Sequence, residues 1–359
     1  MFVPPRCPRR ICPAHQAPSG AWYRRTGFYS VKCRVEPVPR FKCRLCRKGF
    51  SRQTFRHDYY DKRPASNAPL LELLTSGVGL RQSGRCLKLN VHSVQRKLRK
   101  FSRTCSKMHD NLSPKLPPHR TFLLDEEETY EQSSIQPVTM PVLIELETWF
   151  VVAIGTAPIR RLAAEGTRRR AWQDQQEAKY GQRPDASREC VRETLLQLAA
   201  RVAGGTFTLR SDEKSSYRTL LLEVFGEAVR HETTPGRASR TTSNPLFPIN
   251  TTLAMTRDNN GRLRRRSWLV TKRREDLLAQ MHLFMAYRNY VRRRFNRDHP
   301  NHTPAYLLHL VPRALRFEEV LAWRQDWGDR SVHPMSDSAC HTVRDDVTCY
   351  AETTCAVSA

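Results

Sequence analysis

Two aspartates, Asp125 and Asp212, each close an apolar, strand-like run, and Asn250 follows 38 residues after the second. Carboxylates delivered at the ends of neighbouring strands can hold divalent ions that activate an attacking oxygen and stabilise a departing phosphate oxygen. The third position carries an amide, a neutral and weaker oxygen donor than a carboxylate. A second set of residues suits a softer ion. Cys43 and Cys46 are two thiols flanking a tight turn, the spacing that points both sulfurs at one tetrahedral metal. Cys7 and Cys12 stand close enough together upstream to complete a zinc site, with Cys33 and His15 as substitutes.

These residues need elements to position them. Residues 121–125 (TFLLD) form a short apolar strand, and the acidic run Glu126, Glu127, Glu128 follows it. Residues 142–147 and 148–155 form two further strands rich in β-branched and aromatic side chains. Residues 189–202 form an amphipathic helix, with Val191, Leu195, Leu198 and Val202 on one face, and residues 206–212 form another strand. Strand, strand, strand, helix, strand is the order of a ribonuclease-H-like mixed sheet. There the first and fourth strands are neighbours, so Asp125 and Asp212 meet across 87 positions of chain. Carboxylates that close repel unless cations lie between them. Residues 273–296 form a long helix whose Leu277, Met281, Phe284, Val291 and Phe295 face the core.

The N-terminal third divides differently. The segment between Cys12 and Cys43 carries hairpin residues, which makes residues 1–64 a zinc-ribbon-like region. Residues 68–75, 80–87 and 93–108 read as three short helices broken by Gly77, Gly79 and the Leu89-Asn90 turn, a helix-turn-helix over residues 65–112. Gln95, Arg96, Lys97, Arg99, Lys100 and Arg103 form its DNA-facing side, with Leu98 and Phe101 turned inward. Pro114, Pro117 and Pro118 stiffen a linker over residues 113–120. The catalytic core then runs over residues 121–334. Residues 159–188 read as a basic solvated insertion, residues 230–243 as a polar loop, and residues 335–359 as a disordered tail.

Composition agrees with a polyanion partner. Lys and Arg number 61 against 35 Asp and Glu, a formal charge of +26 over 359 residues. Such a charge concentrates nucleic acid and contributes salt-sensitive affinity for its phosphates. An apolar share of 39% in periodic segments excludes a purely disordered basic chain. The most apolar stretch, residues 138–157, contains Pro141, Glu145 and Glu147, so it reads as two buried strands rather than a membrane span. Eleven cysteines, an odd number in a long chain whose first residues lack an apolar signal core, point to a reducing cytoplasm. Cys86, Cys105 and Cys190 read as small buried apolar residues. Trp268, Trp323 and Trp327 read as packing aromatics.

Taken together, the cysteine head, SRQTFRHDYYDKRP at 51–64, SGVGLRQSGRCL at 76–87, LLDEEETYEQ at 123–132, SDEKSSY at 211–217 and NPLFPINTTLAMTRDNNGRLRRRSWLVTKRR at 244–274 resemble a bacterial insertion-sequence transposase. The nearer likeness is to the DDE-class group with a zinc-ribbon and helix-turn-helix head, in part of which Asn replaces the third acidic residue and a basic residue stands seven positions on. Asn250 and Arg257 occupy those places. The resemblance spans about residues 1–334; its motifs are loose singly and specific jointly.

The resemblance implies Mg²⁺ or Mn²⁺ on Asp125 and Asp212, Asn250 completing the shell or positioning a phosphate, and Arg257 paired with the DNA backbone. Glu126, Glu213 or Asp258 are the acidic residues able to assist, Asp258 being the alternative third carboxylate. It also implies Zn²⁺ in the ribbon, terminal inverted repeats and target DNA as partners, no membrane, a homodimer or larger active complex, and a nucleoid-associated bacterial protein. The rival expectation is a non-catalytic, regulatory or degenerate DNA-binding protein.

Overall fold

The computed structural model describes residues 2–323, apart from residues 57, 114, 115, 117, 118, 203, 240 and 264–267. The expected tail at 335–359, Trp327, and Arg264 to Arg266 therefore lie outside the described residues. The chain divides into two compact units, residues 1–69 with 318–359 and residues 70–317.

In the first unit, helix α1 (Pro13–Gln16) precedes three antiparallel strands, β1 (Tyr23–Tyr29), β2 (Val38–Cys43) and β3 (Gly49–Ser51), in that spatial order. The core is small and aromatic. Phe50 stacks on Trp22 at 5.6 Å and on Phe41 at 5.6 Å, and these rings pack with the cysteines rather than with a second layer. A core this thin stabilises little by burial alone, which is the situation in which small domains take a metal or disulfides.

The second unit begins with three helices, α2 (Asn67–Thr75, whose first residues lie before the division), α3 (Leu80–Cys86) and α4 (Val91–Leu112). Asn90 caps α4 by accepting from the His92 amide at 2.9 Å, so the expected Leu89-Asn90 turn is present. Gly84 sits where α3 meets the next turn: a Cβ there would lie 2.8 Å from the Leu89 carbonyl oxygen. At 22 residues, α4 is longer than expected. Its buried stripe of Val94, Leu98, Phe101, Cys105, Met108 and Leu112 recurs every three to four positions, the period of one helix face.

The sheet comprises β4 (Thr121–Tyr130), β5 (Pro137–Glu145), β6 (Val151–Ile154), the short β7 (Ala157–Pro158), β8 (Phe207–Asp212) and β9 (Val229–Thr234). Their order is β6-β5-β4-β8-β9, with β7 beside β5. β4 to β6 form an antiparallel meander, whereas β4–β8 and β8–β9 are parallel. Leaving aside the short β7, the first and fourth strands of this sheet, β4 and β8, are neighbours, as expected of a ribonuclease-H-like order. β5 and β6 are buried on both faces, and the 138–157 stretch holds the two adjacent buried strands anticipated from its sequence, β6 lying at the end of the strand order.

Helices cover both sides. α5 (Arg168–Tyr180) and α6 (Ser187–Ala199) precede β8, α7 (Ser215–Phe225) follows it, and α8 (Phe247–Asn259) and α9 (Arg274–Ala286) come after β9. Ile249 and Leu253 of α8 and Leu277, Met281 and Phe284 of α9 enclose one face with Leu123, Val142 and Ile144. α6 closes the other face at Gly155, where a Cβ would meet Cys190 Sγ at 2.6 Å.

Several expectations change. Residues 229–234 form strand β9, not loop; its alternating polar and half-buried residues sit at the sheet edge, so no apolar run announces it. The helix begun at 274 passes into a π-helical turn at Tyr287–Val291 and ends there, leaving Phe295 to pack on Trp149 at 4.7 Å. The basic insertion contains helix α5, held by an Arg160–Glu177 pair and an Arg170–Asp174 pair. Cys86 is exposed rather than buried, and Trp268 is 98% exposed rather than packed.

Candidate metal centres and the basic helix

The sulfurs of Cys7, Cys12, Cys43 and Cys46 all lie within 4.8 Å of one another. Local turns bring them there. The Cys7 amide donates to the Ala14 carbonyl at 3.0 Å, folding the first loop back over α1. Cys43 ends β2, and its amide donates to the Lys48 carbonyl at 2.9 Å across the turn that carries Cys46. Cys7 and Cys46 sulfurs are 3.4 Å apart, and those of Cys12 and Cys43 are 3.8 Å apart. Four sulfurs each about 2.3 Å from one tetrahedral zinc are separated by about 3.8 Å. The cluster therefore fits zinc and could bind it. Of the substitutes, Cys33 contacts the Asp61 carbonyl at 3.7 Å, and His15 bonds the Cys7 carbonyl at 2.6 Å, bracing the loop. Burial pushes the Cys7 and Cys12 thiols up, whereas the Lys48 amide and the neighbouring cysteines bring Cys46 down to about 7 against its own burial.

The carboxylate centre is built by strand register. β4 pairs with β8 as Thr121↔Thr208, Phe122↔Leu209 and Leu123↔Arg210. The pairing ends two residues short of Asp125 and Asp212, which occupy matching positions of the two strands; Asp212 closes β8 as expected, whereas Asp125 lies mid-strand because β4 runs on to Tyr130. Both follow the parity of Leu123 and face the side covered by α8 and α9. Each is half-buried. Asp125 Oδ1 accepts from the Glu126 amide at 2.7 Å, and Asp212 Oδ1 accepts from the Lys214 amide at 3.2 Å. Beneath them on the opposite face, Tyr217 is held protonated well above its ordinary range, by burial first and then by the charges of Glu126, Asp212 and Asp125.

Asn250 stands in the first turn of α8, beside the buried Ile249. Arg257 lies seven residues on, nearly two turns, so both project from one side of the helix about 10 Å apart along its axis. The Arg257 guanidinium forms an ion pair with Glu127, Nη2 to Oε2 at 2.9 Å. Glu127 follows Asp125 on the same face of β4 and is buried, a placement the strand alternation implied and that sequence reading did not use. Glu126 points the other way, bonded by Thr139 at 2.5 Å, Tyr217 at 2.7 Å and Lys214 at 2.5 Å. It is thereby removed from the group able to assist Asp125. Glu213 and Asp258 are exposed. Among the described residues, the four cysteines form the sole set of three or more His, Cys, Asp or Glu donors gathered within 4.8 Å.

The basic helix α4 splits by face. Arg96, Arg99 and Arg103 are exposed and Lys100 is half-buried, while Lys97 is buried. Gln95 Nε2 donates to Asp276 at 2.7 Å and Arg99 Nε donates to the same carboxylate at 2.8 Å, tying α4 to α9. Burial alone would raise the Asp276 carboxyl, yet these two donors and the charge of Arg262 hold it below its ordinary range. Further down, Ser102 bonds His282 at 2.9 Å, and His109 bridges the Val152 carbonyl at 2.9 Å and the Tyr290 hydroxyl at 3.1 Å. The sequence signal for this docking was present in the helix's polar buried positions, but the partner lies about 180 residues away.

No helix of the described residues is long and apolar enough to cross a membrane. No protein-family model and no curated protein matches the chain. Two solved structures are similar at low level. A simian T-cell lymphotropic virus intasome in complex with the PP2A regulatory subunit B56 gamma shares 12% identity over 68% of this chain and 74% of that chain, with a TM-score of 0.28. A pre-cleavage Mos1 transpososome shares 13% identity over 63% of this chain and 78% of that chain, with a TM-score of 0.18. Superpositions this loose carry no argument about activity.

Proposed function

We propose that the chain is a DNA transposase: it binds the terminal inverted repeats of an element, hydrolyses a phosphodiester at each end, and joins the freed 3′ hydroxyl to target DNA. The observation that supports this reading is the parallel β4–β8 pairing, whose register points Asp125 and Asp212 to matching positions of neighbouring strands. Carboxylates at matching positions of neighbouring parallel strands repel unless positive charge lies between them. The residues fit Mg²⁺ or Mn²⁺: hard oxygen donors, half-buried, with a guanidinium close by.

Asp125 and Asp212 would hold the ions. When bound, those ions supply Lewis-acid stabilisation of the attacking and leaving oxygens. Asn250, on the side of α8 turned toward the strands, orients a phosphate or adds an amide oxygen. Arg257 stands where it can meet backbone charge. The four-cysteine region and, separately, the helices α2 to α4 serve as DNA-binding elements, with Arg96, Lys100 and Arg103 toward phosphate, and pairing two element ends requires at least a dimer.

The test is Mg²⁺-dependent nicking of a labelled terminal repeat, taken from the inverted repeats flanking the gene. Wild type should cut, whereas Asp125→Asn and Asp212→Asn should not. Equal background in all three would leave the rival reading, a non-catalytic DNA-binding protein.

A further inference from the structure

Charged groups buried in the 70–317 unit find partners: Asp276 accepts from Gln95 and Arg99, Glu145 from Arg120 and Thr148, and Arg201 donates to Asp110. Arg288 is the contrast. It is 1% exposed, yet Nε and Nη2 have no hydrogen-bond partner among the described residues, and Nη1 reaches only the Arg293 carbonyl at 3.4 Å, beyond the usual length of such a bond. Nε and Nη2 share one edge of the planar guanidinium, the edge that grips two oxygens of an anion side by side. A buried ion with nothing to answer it costs stability. Packing alone does not account for it.

The fold fixes this arginine in place. It lies in the π-helical turn Tyr287–Val291 that extends α9, closed by the Arg292 amide donating to the Tyr287 carbonyl at 2.9 Å. Such turns are rare and are frequent at functional sites. Asn289 holds both the amide and the carbonyl of Val151 at 2.8 Å, and Tyr290 bonds His109, so the two residues after Arg288 are anchored to β6 and α4. The surroundings are cationic. Burial first, and then the charges of Arg292 and Arg294, push the Arg288 pKa down to about 10, which leaves it charged at neutral pH. Asp298 acts the other way but is already engaged, its Oδ2 accepting from Arg294 Nε at 3.3 Å and from the Phe295 amide at 3.1 Å. Arg292 is half-buried and has no ion-pair partner among the described residues. The cluster borders the turn after β5, where Arg294 Nη1 meets the Glu147 carbonyl at 2.8 Å, whereas Asp212 closes β8 at the other end of the strands.

We propose that Arg288 and Arg292 form an anion site for a phosphoryl group, with two phosphate oxygens on the Nε and Nη2 edge of Arg288 and a second positive charge from Arg292. Entry is from the 292–298 loop, whose Asn296 and Arg297 are exposed. Two guanidiniums around one engaged acid suit a phosphate, which offers more oxygens and more charge than a carboxylate. A DNA backbone phosphate and a free phosphoryl anion present the same oxygens. The site lies apart from Asp125 and Asp212 and does not depend on the transposase reading.

The experiment is thermal unfolding of the zinc-loaded full-length chain in inorganic phosphate, against sodium chloride of equal ionic strength. Phosphate should raise the wild-type midpoint by about 2–4 °C, the scale of a weakly held ligand on a unit of this size. Arg288→Met should abolish that rise and, in chloride, melt at or above wild type, because an unanswered buried charge has become an apolar side chain. A purely structural arginine predicts the reverse, a lower midpoint in chloride with the phosphate response intact. Arg292→Ala, at a half-buried position, should shrink the rise, and it decides the matter if Arg288→Met does not fold. The inference is overturned if phosphate and chloride act alike on wild type, if the variants respond to phosphate as wild type does, or if folded Arg288→Met melts below wild type in chloride. Mixed-sequence duplex DNA then identifies the source. A backbone phosphate at this site predicts that Arg288→Met lowers the salt slope of DNA binding by about one, and a free anion predicts an unchanged slope with the phosphate response still lost.

Discussion

The two candidate metal centres differ in how much of their geometry exists before an ion arrives. The four thiols of the first unit stand at sulfur separations of 3.4 and 3.8 Å, already close to a tetrahedral zinc site. In the second unit, Asp125 and Asp212 are aligned by register but Glu127 is held aside on Arg257, because carboxylates are charged at neutral pH. Soft thiol donors suit zinc and hard carboxylate oxygens suit Mg²⁺ or Mn²⁺. On the proposed reading, the first ion would complete a fold, whereas the second would serve chemistry in a fold that stands without it.

The largest effect that would break this contrast concerns zinc. Its removal, or Cys43→Ser, should unfold the first unit, since structural zinc contributes about 10–16 kcal/mol in finger-like peptides. Metal content and near-ultraviolet circular dichroism of Trp22 report the loss. The 70–317 unit should keep its thermal transition under the same chelator, and a shared transition would show that both centres are structural. Next, Asp125→Asn or Asp212→Asn should lower Mg²⁺-dependent nicking by about a thousandfold or more, the scale of several kcal/mol of lost transition-state stabilisation. Melting temperature should hardly move.

A pH effect sharpens the comparison from the side of the core. Burial, then the charge of Arg201, lowers the His109 pKa from 6.5 to about 3, and burial lowers that of His282 from 6.5 to about 4. Both stay neutral when folded and take up protons when unfolded. The stability they contribute is fully present above pH 6.5 and is lost as pH falls from there toward 3. Thermal midpoints measured from about pH 7 to about pH 5 should therefore drop, and His109→Gln should flatten that slope. The smallest effects belong to the exposed side of α4. Arg96→Ala and Arg103→Ala should each reduce the salt slope of DNA binding by about one, without loss of stability. Lys97→Ala, at a buried position, should instead show up in unfolding.

Much of the fold was readable because its signals are local. The apolar stretch 138–157 betrayed two interior strands by Pro141 and the paired glutamates, and Asn90 marked the start of α4 by its capping chemistry. Residues 229–234 were unreadable as a strand because an edge strand needs no apolar face. Trp268 was misjudged because large aromatic residues are usually buried, and nothing in its neighbours opposes that default. Gln95 and Arg99 read as DNA-facing residues of a basic helix, whereas a buried aspartate on α9 claims both.

The sequence by itself determined the Cys43–Cys46 pair and its nearby candidates, because ligands on one tight turn are close whatever the remainder of the chain does, whereas the choice of Cys7 and Cys12 over Cys33 and His15 as their companions was made by the fold. It also determined that Asp125 and Asp212 end apolar runs, since such runs and their terminal carboxylates are visible in one dimension. Only the tertiary structure decided that the two strands pair at an offset that makes these residues level, that Glu126 turns away, and that Glu127 meets Arg257. Strand register is fixed by which faces helices bury, and a shift of one residue would exchange the two faces of β4.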